Sequence, residues 1–183
     1  MLFLVVGPSG AGKDTLLEVA RRELAGDARY RFVRRDITRP REAGGEEHNA
    51  VDVETFAHRC EAGAYALHWN AHGLGYGVPA DIAADLEAGR VVVANVSRSV
   101  IGQAAQRFPV RVLEITAPPE LLAQRLGARG RESTADIAAR LARNVALPPS
   151  VKVVTVVNDG TPEQGAARVL AELRRATAAA APG

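Results

Sequence analysis

Short runs of apolar residues recur along the chain, and each run leads into a segment with apolar residues at helical spacing. The first run is Leu2 to Val6, and later runs cover residues 91–94, 110–115 and 151–157. Continuous aliphatic and β-branched runs are typical of strands buried on both faces of a parallel sheet. The helix after the first run is predicted from apolar residues at positions 16, 17, 20 and 24. The pattern therefore predicts an α/β fold, a parallel sheet flanked by helices.

The start of the last predicted helix carries a local signal of its own. Thr161-Pro162-Glu163-Gln164 places a threonine at the cap, a proline at the first helical position and a glutamine at the third. This arrangement is typical of a capping box. Arg174 and Arg175 are expected near the carboxyl end of that helix, where positive charge is favourable.

A glycine-rich loop separates the first predicted strand from the first predicted helix. Its residues are Gly7, Pro8, Ser9, Gly10, Ala11, Gly12 and Lys13, followed by Asp14 and Thr15. The loop matches the G-x-x-x-x-G-K pattern of a P-loop, in which backbone N–H groups cradle phosphates and the lysine reaches the β- and γ-phosphates. We therefore predict that residues 7–15 bind ATP and that Lys13 is catalytic.

The loop departs from the common P-loop pattern at the position after its lysine. Ser or Thr usually helps to hold Mg²⁺ there, whereas this chain has Asp14. The Asp14 carboxylate could be a ligand of Mg²⁺, the predicted cofactor, or could simply favour the first turn of a helix. The strand at 91–94 is followed by Asn95, where P-loop enzymes commonly have an acidic residue.

Two polar, charged segments interrupt the alternation of strands and helices. They cover residues 34–52 and 127–134. Charged insertions in α/β domains often serve as substrate loops or lids, although ordinary solvated surface has the same composition. We predict a single domain over residues 1–183, with an acceptor-binding region at about 34–80 and a short lid at about 127–134.

Composition and charge narrow the class of protein. Apolar residues make up 47% of the chain and charged residues 24%, as in soluble globular domains. The first apolar run is too short to be a signal peptide or to span a membrane, and Cys60, the single cysteine, cannot form an internal disulfide. The net charge of +2 fits anionic small substrates, because the arginines are scattered. We predict a cytoplasmic protein that binds neither nucleic acid nor membrane, and the sequence is compatible with a homodimer.

The order of motifs resembles that of guanylate-kinase-like nucleotide monophosphate kinases. The motifs are the P-loop, Thr38-Arg39-Pro40-Arg41, Tyr76-Gly77 and Arg129-Gly130. Three segments resemble more narrowly the branch of this family that phosphorylates ribose 1,5-bisphosphate. They are Gly12-Lys13-Asp14, residues 67–79 and Asn95-Val96-Ser97-Arg98. The resemblance implies a P-loop kinase that uses ATP to make 5-phosphoribosyl 1-diphosphate (PRPP), a product linked to phosphonate metabolism.

The resemblance also implies which residues bind the phosphorylated sugar. They are Arg39, Arg41, His68, His72, Tyr76 and Asn95. Guanylate kinases read guanine with a glutamate before the Tyr-Gly pair and a hydroxyl after it, and here His68 and Val78 stand at the matching positions. The arginines and Tyr76 can still bind a phosphate, which fits a sugar phosphate as acceptor. A purely structural role on a strand edge stays open for His68 and His72.

On the ATP side the resemblance implies two further catalytic residues and one supporting loop. Arg129 and Arg140 would neutralise the transferred phosphoryl group together with Lys13. Asn158 would lie in an adenine-side loop, although a plain turn would look the same. Two alternatives remain. One is a guanylate kinase with unusual base recognition, and the other is a catalytically silent binding module, which the intact Gly12-Lys13 disfavours.

Overall fold

The computed structural model describes residues 1–41, 46–127 and 147–180. Strands and helices alternate along most of this length. In chain order the elements are β1 (Leu2–Val6), α1 (Lys13–Glu23), β2 (Tyr30–Phe32), β3 (Asp36–Ile37), β4 (Asn49–Ala50), α2 (Val53–Glu61), β5 (Tyr65–Ala71), β6 (Leu74–Pro79), α3 (Ile82–Glu87), β7 (Val91–Asn95), α4 (Ile101–Arg107), β8 (Val110–Thr116), α5 (Pro119–Gly127), β9 (Lys152–Val157) and α6 (Pro162–Ala180). A 3₁₀ turn at Arg98–Val100 precedes α4.

The main sheet has five parallel strands in the order β2-β7-β1-β8-β9. The first strand of the chain is the central one, and every residue of it is buried. Phe3 and Val5 face a core that includes residues of α1 and α6, whereas Leu2 and Leu4 face a core that includes α3, α4 and part of a second sheet. The predicted parallel sheet is therefore confirmed, with β1 buried on both faces. The prediction that residues 151–157 form a buried strand is wrong in part, because β9 is at the edge of the sheet and most of its residues are exposed.

The second sheet has four strands in the order β4-β3-β6-β5 and lies within the predicted acceptor-binding region. Its longest pairing is the antiparallel hairpin of β5 and β6, in which Trp69 lies opposite Tyr76 and His68 lies opposite Gly77. Trp69 and Val78 pack into the same core as Leu2 of the main sheet. The small sheet is therefore packed against one face of the main sheet, next to the carboxyl-terminal end of β7.

The start of α6 has the predicted capping geometry. The Thr161 amide donates to Gln164 Oε1 at 3.1 Å, and the Gln164 amide donates to Thr161 Oγ1 at 3.3 Å. Arg174 and Arg175, expected near the carboxyl end of this helix, lie before its last turn, because the alanine-rich segment continues the helix to Ala180. Among the described helices, none combines the length and the apolar character needed to cross a membrane.

Candidate active site

The glycine-rich loop connects the end of β1 to the start of α1 in a conformation that needs glycine. Gly7 and Gly12 have φ values of 149° and 84°. A Cβ atom on Gly7 would lie 1.9 Å from the carbonyl oxygen of Ile115, and one on Gly12 would lie 2.5 Å from Asn158 Nδ2. Side chains are excluded at both positions by backbone strain and by space. The loop is therefore a preformed turn at the amino-terminal end of α1, as phosphate binding requires.

The Lys13 ammonium lies over this loop. Its Nζ donates to the carbonyl oxygens of Gly7 at 2.8 Å and Pro8 at 3.0 Å. The loop also closes on itself, since the Ala11 amide donates to the Pro8 carbonyl oxygen at 3.3 Å. These contacts hold a positive charge beside the helix amino terminus, where the helix dipole also favours an anion.

Asn158 is hydrogen-bonded to the phosphate loop. It follows β9, is 5% exposed, and donates from Nδ2 to the Ala11 carbonyl oxygen at 2.8 Å. Its Oδ1 is buried and has no hydrogen-bond partner within the described residues. The predicted ATP-side residue thus contacts the phosphate loop itself, and its role toward adenine stays a prediction.

Arg125 is a cation at the loop that the sequence did not single out. It donates from α5 to the Gly10 carbonyl oxygen at 3.4 Å and to the Asn158 carbonyl oxygen at 3.3 Å. An arginine in a helix usually projects into solvent, which is why its role was missed. One signal was present, because buried Leu122 lies three residues earlier, which places Arg125 on the inward face of α5.

Asp14 and Asn95 come together where α1 begins and β7 ends. Asn95 Nδ2 donates to Asp14 Oδ1 at 3.0 Å. Both residues line a cavity of about 660 Å³, whose wall also includes Glu18, Arg34, Glu46 and Glu47. This cavity opens beside the P-loop, and we call it the acceptor cleft because we predict that the acceptor binds there. Of the predicted sugar-binding residues, Asn95 is the one that lines it among the described residues.

The oxygen atoms of Asp14 and Asn95 suit Mg²⁺. Among the described residues there is no cluster of three or more His, Cys, Asp or Glu side chains that could hold a metal. Mg²⁺ bound to ATP needs few protein ligands, because it keeps several waters and takes oxygens from the phosphates. One carboxylate and one amide oxygen at the end of the P-loop therefore fit this ion, and Asp14 as its ligand stays a prediction.

The predicted phosphate-binding residues of the small sheet lie near its junction with the main sheet. Arg39 Nη2 lies 3.3 Å from Nδ1 of the buried His48, and His48 Nε2 lies 3.0 Å from the Arg39 carbonyl oxygen. Arg39 Nε is buried without a partner in the described part of the chain. Tyr76 stacks on Trp69, with ring centroids 5.3 Å apart and planes inclined by 4°. Arg41 is exposed and immediately precedes residues 42–45, which lie outside the described ranges.

The structure does not bring His68 to the same face as Tyr76. Because side chains alternate along a strand and Tyr76 lies opposite Trp69, His68 projects from the other face of the hairpin, where it is exposed. The neighbouring residue on the Tyr76 face is the fully buried Leu67. His72 is exposed in the hairpin turn, with a φ of 53°. Substrate roles for both histidines stay predictions.

The catalytic roles of Arg129 and Arg140 also stay predictions, because both residues lie outside the described ranges. Of the predicted lid at 127–134, the structure describes only Gly127, the last residue of α5.

Comparison with known proteins identifies the family. A family model described as an AAA domain matches residues 2–145. The ribose 1,5-bisphosphate phosphokinase PhnN of Methylobacterium radiotolerans is 51% identical over 174 residues, which cover 94% of this chain and 97% of that protein. The enzyme of the same name from Acidiphilium cryptum is 50% identical over 95% of this chain and 92% of that protein. The chain belongs to the ribose 1,5-bisphosphate phosphokinase family.

Other matches extend the comparison to longer proteins and to solved structures. The bifunctional ribose 1,5-bisphosphokinase-thymidine phosphorylase of Azorhizobium caulinodans is 49% identical over 180 residues, and this chain spans only 26% of its length. The crystal structure of guanylate kinase from Anaplasma phagocytophilum superposes with a TM-score of 0.68 over 96% of this chain and 84% of that chain, at 21% identity. That similarity shows the fold alone. The resemblance and the P-loop kinase fold predicted from the sequence are both confirmed.

Proposed function

We propose that this protein is an ATP-dependent kinase that phosphorylates ribose 1,5-bisphosphate, producing PRPP and ADP. The observation that carries the proposal is the 51% identity to a phosphokinase of that name over nearly the whole chain, joined to a P-loop with Lys13 in place. A catalytically silent binding module would not need to keep a lysine at this loop.

The reaction needs alignment and charge neutralisation more than it needs proton transfer. An oxygen of the 1-phosphate attacks the γ-phosphorus of ATP in line, and the bond from that phosphorus to the β–γ bridging oxygen breaks, so that ADP leaves with the electron pair. The attacking phosphate is already anionic at neutral pH, and no general base is required. The P-loop amides, Lys13, and by our proposal Arg129 and Arg140 would neutralise the charge on the transferred group.

The residues of the predicted acceptor-binding region suit a phosphate without a base. Arg39, Arg41 and Tyr76 supply donors for phosphate oxygens. His68 and Val78 stand at the positions matched to the guanine-reading glutamate and hydroxyl of guanylate kinases, so neither group is present at those positions. We accordingly favour a sugar phosphate over GMP.

Mg²⁺ is the cofactor that we propose, held by Asp14 and Asn95. It would supply positive charge to the ATP phosphates. We also propose a cytoplasmic location and no binding of nucleic acid, and the proposal is compatible with a homodimer.

The decisive measurement is product identification by phosphorus NMR, with ATP and magnesium and either ribose 1,5-bisphosphate or GMP as acceptor. We expect PRPP and ADP from the ribose bisphosphate, and loss of turnover when magnesium is chelated. Efficient turnover of GMP alone would instead make the protein a guanylate kinase.

Substitution of the P-loop lysine tests whether turnover belongs to this site. Lys13→Ala is expected to lower kcat/KM at least about 100-fold, because it removes a cation that acts on the transferred phosphoryl group. Lys152→Ala is a matched control, since Lys152 lies exposed on β9. Both variants should keep the wild-type circular dichroism spectrum. A folded Lys13→Ala protein with wild-type turnover would refute the assignment.

A further inference from the structure

Arg35 is a buried cation that no step described above uses. It lies between β2 and β3, where the chain crosses from the main sheet to the small sheet, and is 8% exposed. Its guanidinium carbon lies 5.6 Å from the Trp69 ring centroid and 5.2 Å from that of Tyr76. Since those rings stack on each other, they form an aromatic wall that fixes the position of the guanidinium.

The hydrogen-bonding capacity of Arg35 is only partly used. Its Nη2 is bonded to a carboxylate oxygen of Glu46, whereas its Nε is buried and has no partner within the described residues. A guanidinium carries five N–H donors, and a buried donor left unpaired is costly. Arg35 is therefore suited to take a further anion with several acceptor oxygens.

The position of Arg35 relative to the acceptor cleft indicates which anion this is. Asp14 and Asn95 mark the end of the cleft at the P-loop, where the reacting phosphate must lie. A carboxylate oxygen of Glu47 lies 3.7 Å from Nη2 of Arg21. Arg21 is two helical turns, or about 10 Å, farther along α1 than Asp14. Glu46, the partner of Arg35, lines the cleft together with Glu47. Arg35 itself does not line the cleft, and Glu46 connects it to the part of the cleft around Glu47 and Arg21. A phosphate that takes the place of Glu46 would therefore lie near Glu47, away from the transferred phosphoryl group.

We propose that Arg35 binds the 5-phosphate of ribose 1,5-bisphosphate, the phosphate that does not react, and that Glu46 occupies this position until the substrate arrives. A planar guanidinium matches two phosphate oxygens at once, which a lysine cannot do. The carboxylate of Glu46 neutralises the buried charge in the free protein, and the phosphate dianion replaces it on binding. The inference rests on the proposed function, because it concerns the acceptor of that reaction.

The test separates the two phosphates of the substrate. Calorimetric Kd values are measured for ribose 1,5-bisphosphate, ribose 5-phosphate and ribose 1-phosphate, with wild type, Arg35→Met and Arg35→Lys. Arg35→Met is expected to weaken binding of the first two ligands roughly 10- to 100-fold and to leave ribose 1-phosphate within about twofold, in keeping with the loss of charged hydrogen bonds. Arg35→Lys should restore part of the loss.

Two further variants keep the test decisive if Arg35→Met folds poorly. Glu46→Gln is expected to tighten binding of ribose 1,5-bisphosphate a few-fold, because a neutral glutamine amide competes with the 5-phosphate for Arg35 less strongly than a carboxylate does. Arg107→Met is the matched control, since Arg107 also lies over an aromatic ring, that of Phe108 at 5.1 Å, but donates to the Ala66 carbonyl oxygen and not to a residue that lines the cleft. It should change none of the three Kd values.

The outcomes separate this inference from the proposed function. Equal weakening of all three ligands by Arg35→Met, or weaker bisphosphate binding in Glu46→Gln, would show that the Arg35–Glu46 pair is only structural and would overturn the inference. Absence of wild-type turnover and binding with ribose 1,5-bisphosphate would overturn the proposed function, and this inference with it. Turnover in wild type together with selective loss of the 5-phosphate ligands in Arg35→Met supports both.

Discussion

Asp36 is a buried carboxylate at the polar centre of the small sheet. It is 4% exposed and accepts hydrogen bonds from Tyr65 Oη at 2.8 Å, from Asn49 Nδ2 at 3.1 Å and from Arg59. Burial, and then the hydrogen bond to Asp36, raise the pKa of Tyr65 from 10.0 to about 12. The neutral phenol is therefore stabilised in the folded protein relative to the phenolate.

This shift predicts a dependence of stability on alkaline pH. The contribution of neutral Tyr65 is fully present below pH 10, the unfolded value, and is lost as the pH rises toward about 12. Its size is on the order of 2 kcal/mol. In an ultraviolet titration of the native protein, Tyr65→Phe should remove the tyrosinate transition of highest pKa. Tyr30→Phe is the control, because the Tyr30 hydroxyl is bonded to Thr177 and not to a carboxylate. Retention of the highest transition in Tyr65→Phe would contradict the prediction.

At the scale of single residues, the sequence predicted the phosphate loop well and the acceptor side less well. Gly7, Gly12 and Lys13 could be placed because a P-loop is a local motif whose spacing fixes its conformation. Arg125 and Arg35 could not, since each reaches its partners only through tertiary packing. His68 shows the same limit, because which face of a hairpin a residue occupies depends on the register of the pairing.

At the scale of elements, four of the five strands of the main sheet were predicted, whereas β2, with only three residues, and the small sheet were not. Strands such as β1 and β7 are continuous apolar runs, which sequence reasoning detects. The strands β3 and β4 have only two residues each, and the region around them is polar. Such short strands are defined by their pairing partners and leave no periodic signal. The charge of residues 34–52 therefore indicated an interruption of the strand–helix alternation, but the small sheet was not predicted.

The capping box of α6 allows a quantitative test at this scale. Thr161→Ala removes the acceptor for the Gln164 amide and should lower the free energy of unfolding by about 1 kcal/mol, measured by urea denaturation. Thr161→Ser keeps the oxygen and is expected to stay close to wild type. If both variants lose the same stability, the threonine methyl group matters and the cap does not.

At the scale of the whole molecule, one carboxylate joins the two chain segments that connect the sheets. The chain leaves the main sheet after β2 and returns to it at β7. Arg31 of β2 and Arg90, just before β7, both bond to Asp85 of α3, the latter at 2.7 Å. Burial raises the pKa of Asp85, but the two arginines outweigh it and hold the pKa below its ordinary value of 3.8. Asp85 in its ionised form therefore ties α3, the helix that follows the last strand of the small sheet, to the main sheet.

Removing this charge should loosen the attachment of α3 to the main sheet. Asp85→Asn leaves Arg31 and Arg90 without their shared carboxylate, and we expect the free energy of unfolding at pH 7 to fall by about 2 kcal/mol. Asp81→Asn is the control. Asp81 also bonds to Arg31, at 2.8 Å, but its side chain is 65% exposed against 10% for Asp85, and the expected loss is below about 0.5 kcal/mol.

The pH dependence of this loss separates the charge of Asp85 from its shape. Because the folded pKa is depressed, the contribution of Asp85 is present above pH 3.8 and is lost as the pH falls through the folded value. Urea denaturation of wild type and Asp85→Asn should therefore show a difference that is constant near neutral pH and shrinks below pH 3.8. A difference that persists unchanged into acid would mean that the asparagine disturbs packing. The ion pairs of Asp85 would then contribute little to holding α3 on the main sheet.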